Sequence, residues 1–562
     1  METRSDAGAV GTDRGRSAAR KGGTVAEMAT RAPAGAARTP TEGRRKWWVL
    51  VAMVFGLFMP MLDNLVVNVA LPTIQRKLGA GVSELQWIID AYTLTFASFM
   101  LTGGTLADLF GRKRFFIGGL ALFTTGSLLC GVSTDIHELI AFRAIQGLGG
   151  TLLLPGSLSI ISATFHGRER GAAIGIWSAM SGVAVAFGPL VGGYLVQHVS
   201  WQSIFFINVP VGVVAVALTW FVVQESRDTS GSRRLDPPGV VTGTLGLSSL
   251  VYATIEGNTR GWTDPLILSS FGLAAVMLAV FVWVESRRES PMLPLSFFRN
   301  PTFSAAIASA TAIFFALFGM TFFFSLYLQN VEGYDPVGTG VRLLPFTVMI
   351  LLIAPVSGRL SDRFGSRWFM TGGTAVLAAG LAMSLRMEVD SSYATVILPA
   401  MVVMGAGMAL TMSPLSAAVM GSVEARRVGI ASATQTTSQQ VGGVFGIALL
   451  GAVVTAAFNR GFRAQLLEAG FPARTVAAIT AKAGAGAAAG RVSGAAAPVG
   501  TPPAVLDTVV RAVHDSFVHA IHVGLFVSIA FALLASVLSL LFVRSHVAVH
   551  DGSGESAAVH VG

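Results

Sequence analysis

The chain has 562 residues, of which 52% are hydrophobic and 12% are charged, whereas soluble domains carry roughly 25% charged residues. Its mean hydropathy is +0.65 and 64 residues are glycine, which suits helices that pack closely in lipid. These values exclude an ordinary soluble domain and predict an all-α polytopic membrane protein. The formal net charge of +9 does not indicate nucleic-acid binding, because Lys and Arg lie between apolar runs, as topology signals do.

The chain opens on a polar segment rich in Arg, Ala, Gly and Thr. Residues 1–46 are predicted to form a disordered cytoplasmic tail, and no short signal peptide with a small-residue cleavage site precedes the first apolar run. Cys130 is the single cysteine, so a disulfide within the chain is impossible and the residue is interpreted as a packing residue.

Apolar runs long enough to cross a bilayer, which takes about 20 residues, recur along the chain. Fourteen are predicted, near 47–71, 85–107, 115–133, 139–163, 171–196, 202–223, 239–257, 265–284, 303–328, 338–358, 368–387, 393–418, 429–457 and 519–543. If the N-terminus is inside, the short inner loops hold 16 Lys and Arg residues and the short outer loops hold 5. This bias predicts that both termini are cytoplasmic.

An internal repeat divides the chain. Gly104–Arg114 reads GTLADLFGRKR and Gly358–Trp368 reads GRLSDRFGSRW, each after the second apolar run of a group of six. Such repeats commonly relate two halves of a transporter. The predicted organisation is a six-helix bundle (47–223), a linker with helices 7 and 8 (224–302), a second six-helix bundle (303–543) that carries a long outer loop (459–518), and a cytoplasmic tail (544–562).

Three charged residues lie inside apolar runs, where charge is costly and usually functional. At 1.5 Å per residue, Asp63 lies ~24 Å and Asp90 ~27 Å from the inner ends of their spans, and Arg143 lies ~7 Å below an outer end. All three therefore fall in the outer half of a core of about 30 Å. They are predicted to form a proton-sensitive cluster, although Arg143 can equally be a structural pairing residue and Asp90 a solvated residue of an outer vestibule.

The loop between the second and third spans contains Gly104, Asp108, Gly111, Arg112 and Lys113, and its glycines permit a tight turn. We predict that this loop is a latch that breaks when two halves rock; the alternative is a topology anchor only.

This loop resembles the signature loop of the major facilitator superfamily. Four further stretches are similar to its fourteen-span drug:proton antiporter branch: LDNLVVNVALP (62–72), RAIQGLGGT (143–151), GPLVGGYL (188–195) and WQSIFFINVP (201–210). The resemblance implies two six-helix bundles plus two inserted helices, and proton-driven export across the inner or plasma membrane. It also implies a role in proton transfer for Arg143.

In that family, GPLVGG is the antiporter signature, which here comprises Gly188, Pro189, Gly192 and Gly193. Glycines open a close-packing face and proline removes a backbone donor, so a kinked packing helix without a coupling role is the alternative.

Polar and aromatic residues in the spans indicate a substrate cavity for an amphiphilic or cationic small molecule. The candidates are Asn64, Asn68, Gln146, Phe318, Phe322 and Gln439. No catalytic residue, cofactor or metal site is predicted, and Gly147–Gly150 lies in a span without a following P-loop lysine, which argues against ATP as the energy source. The chain is predicted to be a monomeric drug transporter. A dedicated exporter of one metabolite or self-made antibiotic and a non-transporting sensor or scaffold are the alternatives.

Overall fold

The computed structural model describes residues 40–165, 168–226, 236–288, 291, 293–424, 428–477, 479–480, 490, 503–544, 546–550 and 556–560. Residues 1–39 of the predicted N-terminal tail lie outside these ranges. The described part is almost entirely helical, which confirms the predicted all-α class. The C-terminal tail adds one antiparallel strand pair that was not predicted, β1 (His546–His550) with β2 (Ser556–His560).

The N-terminal half contains seven helices. They are α1 (Pro40–Leu78), α2 (Val82–Phe110), α3 (Arg112–Val132), α4 (Ile136–Thr164), α5 (Arg168–His198), α6 (Ser203–Phe206) and α7 (Asn208–Val222). The inserted pair follows as α8 (Pro237–Arg260) and α9 (Pro265–Arg287). The C-terminal half contains α10 (Pro301–Asn330), α11 (Pro336–Phe364), α12 (Ser366–Met383), α13 (Leu398–Gly421), α14 (Val428–Glu468) and α15 (Pro503–Phe542).

Twelve helices of the described chain are long and apolar enough to cross a membrane. Two further helices, α2 and α5, have 29 and 31 residues but are not among the twelve. The predicted count of fourteen spans therefore stays a prediction.

The helices begin where the sequence supplies a cap. An Asp or Asn side chain accepts a hydrogen bond from a backbone N–H of the first turn at Asp135, Asp236, Asp264, Asn300 and Asp335. Four of these caps are followed by proline at the first helical positions, where its missing N–H costs nothing.

The internal repeat has one geometry in both halves. Gly111 separates α2 from α3 with φ +124°, and Gly365 separates α11 from α12 with φ +82°. Both values lie in the region that favours glycine. Because α2 continues to Phe110, Gly104 lies within the helix, and the predicted tight turn is confined to Gly111.

Among the described residues, hydrogen bonds join the two six-helix bundles at three helix pairs. Ser325 of α10 donates to the Asn68 carbonyl of α1 at 2.6 Å. Gln86 of α2 donates to the Ile447 carbonyl of α14 at 2.6 Å, and Gln197 of α5 donates to Asp335, at the start of α11, at 3.0 Å. All these contacts lie in the half of the helices that the charge bias places outside, so this side is closed.

The inserted helix α8 covers the seam between α2 and α14. Its Val251 and Ile255 form one buried cluster with Leu94 of α2 and with Val444 and Ala448 of α14. At the predicted outer end of this seam, the Trp87 indole donates to the Glu256 carboxylate at 3.1 Å.

Helices α14 and α15 continue into the segment predicted as an outer loop. They have 41 and 40 residues, or ~60 Å at 1.5 Å per residue, about twice the thickness of a bilayer core. Phe462 and Leu466 belong to the same buried core as Val513 and Phe517. This apolar packing explains why helix, rather than loop, occupies residues 459–468 and 503–518.

Candidate functional site

The centre of the N-terminal bundle holds a buried ion pair. The Arg143 guanidinium of α4 pairs with Oδ2 of Asp63 of α1, and the two side chains are 1% and 0% exposed. Removing one partner of such a pair leaves an uncompensated buried charge, which typically costs about 3–5 kcal/mol. The pair therefore joins α1 firmly to α4.

Neutral amides complete the surroundings of the Asp63 carboxylate. Gln146 donates to Oδ1 at 2.8 Å and accepts from the Arg143 guanidinium at 2.8 Å. Asn208 donates to the same Oδ1 at 3.2 Å and to the Ser127 hydroxyl at 3.0 Å. We call these five residues, Asp63, Ser127, Arg143, Gln146 and Asn208, the Asp63 network; it draws on α1, α3, α4 and α7.

The guanidinium has further partners on its other edges. Its Nε donates to the Ile88 carbonyl of α2 at 3.0 Å. Its carbon lies 4.2 Å from the centre of the Tyr92 ring and 5.8 Å from that of the Phe205 ring, within the range of cation–π attraction. Arg143 thus meets an acid, an amide, a backbone carbonyl and aromatic rings, which compensates its burial.

Local sequence explains how Asn208 reaches the network. The sixth predicted span is interrupted at Ile207, between α6 and α7. Pro210 has no backbone N–H to donate to the preceding turn, and the Phe205 carbonyl at the end of α6 accepts from the Ser127 hydroxyl at 2.9 Å. Asn208 is the first residue of α7 and is 2% exposed.

Sequence reasoning missed Ser127 and Asn208. Asn208 lies in the WQSIFFINVP stretch (201–210), where it is a polar residue in an apolar run. This pattern is a sequence signal that could have identified it. Ser127 had no comparable signal, because a serine in a helix often bonds only to its own backbone.

The structure does not bring Asp90 into the Asp63 network. The Asp90 side chain is fully buried, yet neither carboxyl oxygen has a hydrogen-bond partner among the described residues. Matching depth was a correct basis for placing Asp63 near Arg143, but depth says nothing about which face of α2 carries Asp90.

The signature loop is tied to the end of α7 through a residue that the sequence did not single out. The Glu225 carboxylate accepts from the backbone N–H groups of Lys113 at 3.1 Å and Arg114 at 3.3 Å, so it caps the N-terminus of α3. Lys113 donates to the Trp220 carbonyl at 2.6 Å, and the Arg112 N–H donates to the Ser226 carbonyl at 3.0 Å. The side chain of Asp108 lies outside the described part.

The glycines of GPLVGGYL face two different helices. A Cβ on Gly188 would lie 2.8 Å from Leu65 of α1, and one on Gly192 would lie 3.0 Å from Val66. A Cβ on Gly193 would lie 2.4 Å from the Pro336 carbonyl oxygen of α11. In return, a Cβ on Gly340 of α11 would lie 2.3 Å from the Pro189 carbonyl oxygen. The motif therefore lets α5 approach α1 and the second bundle at backbone distance.

The predicted cavity residues have different surroundings. Gln146 belongs to the Asp63 network, and Asn68 is 6% exposed and donates to the Asn64 carbonyl at 2.9 Å. Phe322 is fully buried against Phe323, with ring centres 4.9 Å apart, so it belongs to the core. Phe318 and Gln439 are partly exposed, and their role as cavity residues stays a prediction. Among the described residues, no group of His, Cys, Asp or Glu could hold a metal ion.

Solved structures give an independent view of the fold. The chain is similar to a bacterial homolog of the human lysosomal transporter Spinster, with a TM-score of 0.61, 17% identity, and coverage of 89% of this chain and 99% of that one. This likeness concerns the fold alone.

Relatives with higher identity carry resistance names. The multidrug resistance protein Stp of Mycobacterium tuberculosis is 39% identical over 414 residues, which are 74% of this chain and 76% of Stp. The tetracenomycin C resistance and export protein of Streptomyces glaucescens is 35% identical over 514 residues, 90% of this chain and 94% of that protein. The puromycin resistance protein pur8 of Streptomyces alboniger is 37% identical over 417 residues, 74% of this chain and 82% of pur8. Residues 53–447 match the Major Facilitator Superfamily; the chain therefore belongs to this superfamily of membrane transporters.

Proposed function

We propose that the chain exports small amphiphilic or cationic molecules across the plasma membrane in exchange for protons. The observation that carries the proposal is the Asp63 network, an ionisable carboxyl buried against Arg143 at the meeting point of four helices. The names of three relatives, which describe multidrug, tetracenomycin C and puromycin resistance, support a drug as the cargo.

The network couples a proton to helix positions through hydrogen bonding. Protonation of Asp63 removes the negative charge that Arg143 pairs with and turns one acceptor oxygen into a hydroxyl. The contacts from α4 and α7 to α1 then weaken together. Drug is exchanged for a proton if protonation of Asp63 and binding of drug favour different arrangements of the two bundles. A ligand shifts such an equilibrium only by the difference between its affinities for the two arrangements.

Efflux from cells that express the chain tests the proposal. Cells are loaded with a panel of cationic dyes and antibiotics, and efflux is followed with and without an uncoupler. We expect uncoupler-sensitive efflux that Asp63→Asn abolishes at wild-type expression. Thr93→Val is the matched control, since Thr93 is a buried polar residue whose hydroxyl donates to the Ile89 carbonyl of its own helix. Efflux that persists with the uncoupler would exclude proton drive.

A dedicated exporter of one antibiotic or metabolite is the second candidate. The tetracenomycin C protein is similar over 90% of this chain and 94% of its own length, which favours a substrate of that kind. Efflux of a single member of the panel would support this candidate, and absence of all flux would support a sensor or scaffold.

The orientation with both termini cytoplasmic belongs to the same proposal, as does the monomeric state. Single cysteines on opposite ends of the helices, labelled from outside in intact cells, test the orientation. A cysteine at Arg463 should react and one at Arg363 should not.

A further inference from the structure

Asp90 is a buried carboxyl that the Asp63 network does not use. Its side chain is 0% exposed, and among the described residues neither oxygen has a hydrogen-bond partner. An ionised carboxylate without a partner in such surroundings costs several kcal/mol. The closed arrangement of α2 and α14 therefore accommodates Asp90 in its neutral, protonated form.

Helical spacing identifies the helices around Asp90. Gln86 and Leu94 lie one turn away on either side, on the same face of α2. Gln86 donates to the Ile447 carbonyl of α14 at 2.6 Å, and Leu94 packs against α8 and α14 in their shared cluster. Asp90 thus lies at the junction of α2, α8 and α14, between the two bundles. The Ile88 carbonyl, which accepts from Arg143, is on another side of α2.

Charged groups on the neighbouring helices are engaged elsewhere. On α8, Glu256 accepts from Trp87 and lies 3.9 Å from Arg260, while the Tyr252 ring packs beside the Trp87 ring at 6.3 Å between centres. On α4, Arg143 pairs with Asp63. At this level α14 contributes Val444, Ile447 and Ala448. Its basic residues Arg460 and Arg463 lie further along, on the exposed extension.

We propose that Asp90 is a proton-dependent latch on the predicted outer side, where α2 and α14 close together only after Asp90 has taken up a proton. When the bundles part, water reaches the carboxyl and the proton leaves to the outer solution. Reclosure then requires protonation from the same solution. This inference rests on the proposed proton-driven cycle. It assigns two protons to two residues: the proton on Asp90 permits closing, and the proton on Asp63 is exchanged for drug.

Accessibility of a buried reporter cysteine tests the latch without any transport. Ser325 is fully buried and donates to the Asn68 carbonyl at the α1–α10 junction, away from Asp90. Ser325→Cys is introduced together with Cys130→Ser in the full chain, and labelling by a membrane-impermeant maleimide is measured at external pH 5.5 to 8.5. After correction for the intrinsic reactivity of the thiol, labelling should rise with pH by up to about tenfold per unit, since one proton is linked to closing.

Three variants make the result decisive. Asp63→Asn, which removes the proton exchanged against drug, should keep the pH dependence. In that background, Asp90→Asn should give low labelling that is independent of pH, and Asp90→Glu should restore the pH dependence. A cysteine at Arg463, which is exposed on the extension of α14, supplies the correction for thiol reactivity. Wild-type pH dependence in Asp90→Asn would overturn the latch. Uncoupler-insensitive efflux would instead overturn the proposed function, so the two failures are distinguishable.

Discussion

Asn208→Ala perturbs the Asp63 network at a residue that carries no charge. The variant removes an amide that donates to Oδ1 of Asp63 at 3.2 Å, while the ion pair with Arg143 remains. A hydrogen bond to a charged group contributes about 1.5–3 kcal/mol, and the 3.2 Å length favours the lower figure. At about 1.4 kcal/mol per factor of ten, this corresponds to about a tenfold change in an equilibrium constant.

The direction of the change follows from the donor. The Asn208 amide stabilises the contact of α7 with the Asp63 carboxylate of α1, so its loss shifts the equilibrium between bundle arrangements. Uncoupler-sensitive drug efflux is measured in cells that express each variant at the wild-type level. We expect efflux to fall by up to about tenfold in Asn208→Ala, because the bond lost contributes about 1.5 kcal/mol.

Ser127→Ala is the matched control. It removes the other partner of the Asn208 amide, at 3.0 Å, but leaves the donation to Asp63 in place. Its efflux should lie close to that of the wild type. Wild-type efflux in Asn208→Ala would refute the role of the Asn208 amide in the Asp63 network, and equal losses in both variants would refute its donation to Asp63 as the cause.

Three further predictions follow from the described contacts. Arg143→Ala should lower the free energy of unfolding, measured by thermal unfolding in detergent, by about 3–5 kcal/mol because Asp63 is left buried and unpaired. The double variant Asp63→Asn/Arg143→Gln should recover most of this stability but not transport. If it recovers no stability, the loss in Arg143→Ala does not come from the unpaired Asp63. Glu225→Ala should destabilise α3 by about 1 kcal/mol through loss of its N-terminal cap. Arg114→Ala should have little effect, since Arg114 is 72% exposed in its ion pair. Equal unfolding midpoints for the two variants would show that the cap does not stabilise the loop. Gly193→Val should abolish efflux and raise labelling of a cysteine at Ser325, because a Cβ on residue 193 would lie 2.4 Å from the Pro336 carbonyl oxygen. Gly272→Ala, where a Cβ has nothing within 4 Å, should behave as the wild type. Full efflux in Gly193→Val would exclude the close α5–α11 contact as part of the cycle.

The sequence was sufficient for the features that depend on composition and local spacing. Long apolar runs predict membrane helices because lipid offers no hydrogen-bond partners, and the structure confirms helices at these runs. The repeat GTLADLFGRKR and GRLSDRFGSRW predicted related halves, and both copies place one positive-φ glycine between two helices. Depth along a helix, a one-dimensional quantity, put Asp63 level with Arg143.

Only the tertiary structure decided which side chains meet. Asn208 and Ser127 join Asp63 because α7 and α3 pack beside α1 and α4, and Glu225 reaches the α3 N-terminus across a separation of more than 100 residues. Asp90 was predicted at the depth of Asp63 but lies outside the Asp63 network, since the direction of a side chain around a helix depends on how that helix is rotated against its neighbours. Apolar packing over the whole bundle sets that rotation, and no single span encodes it.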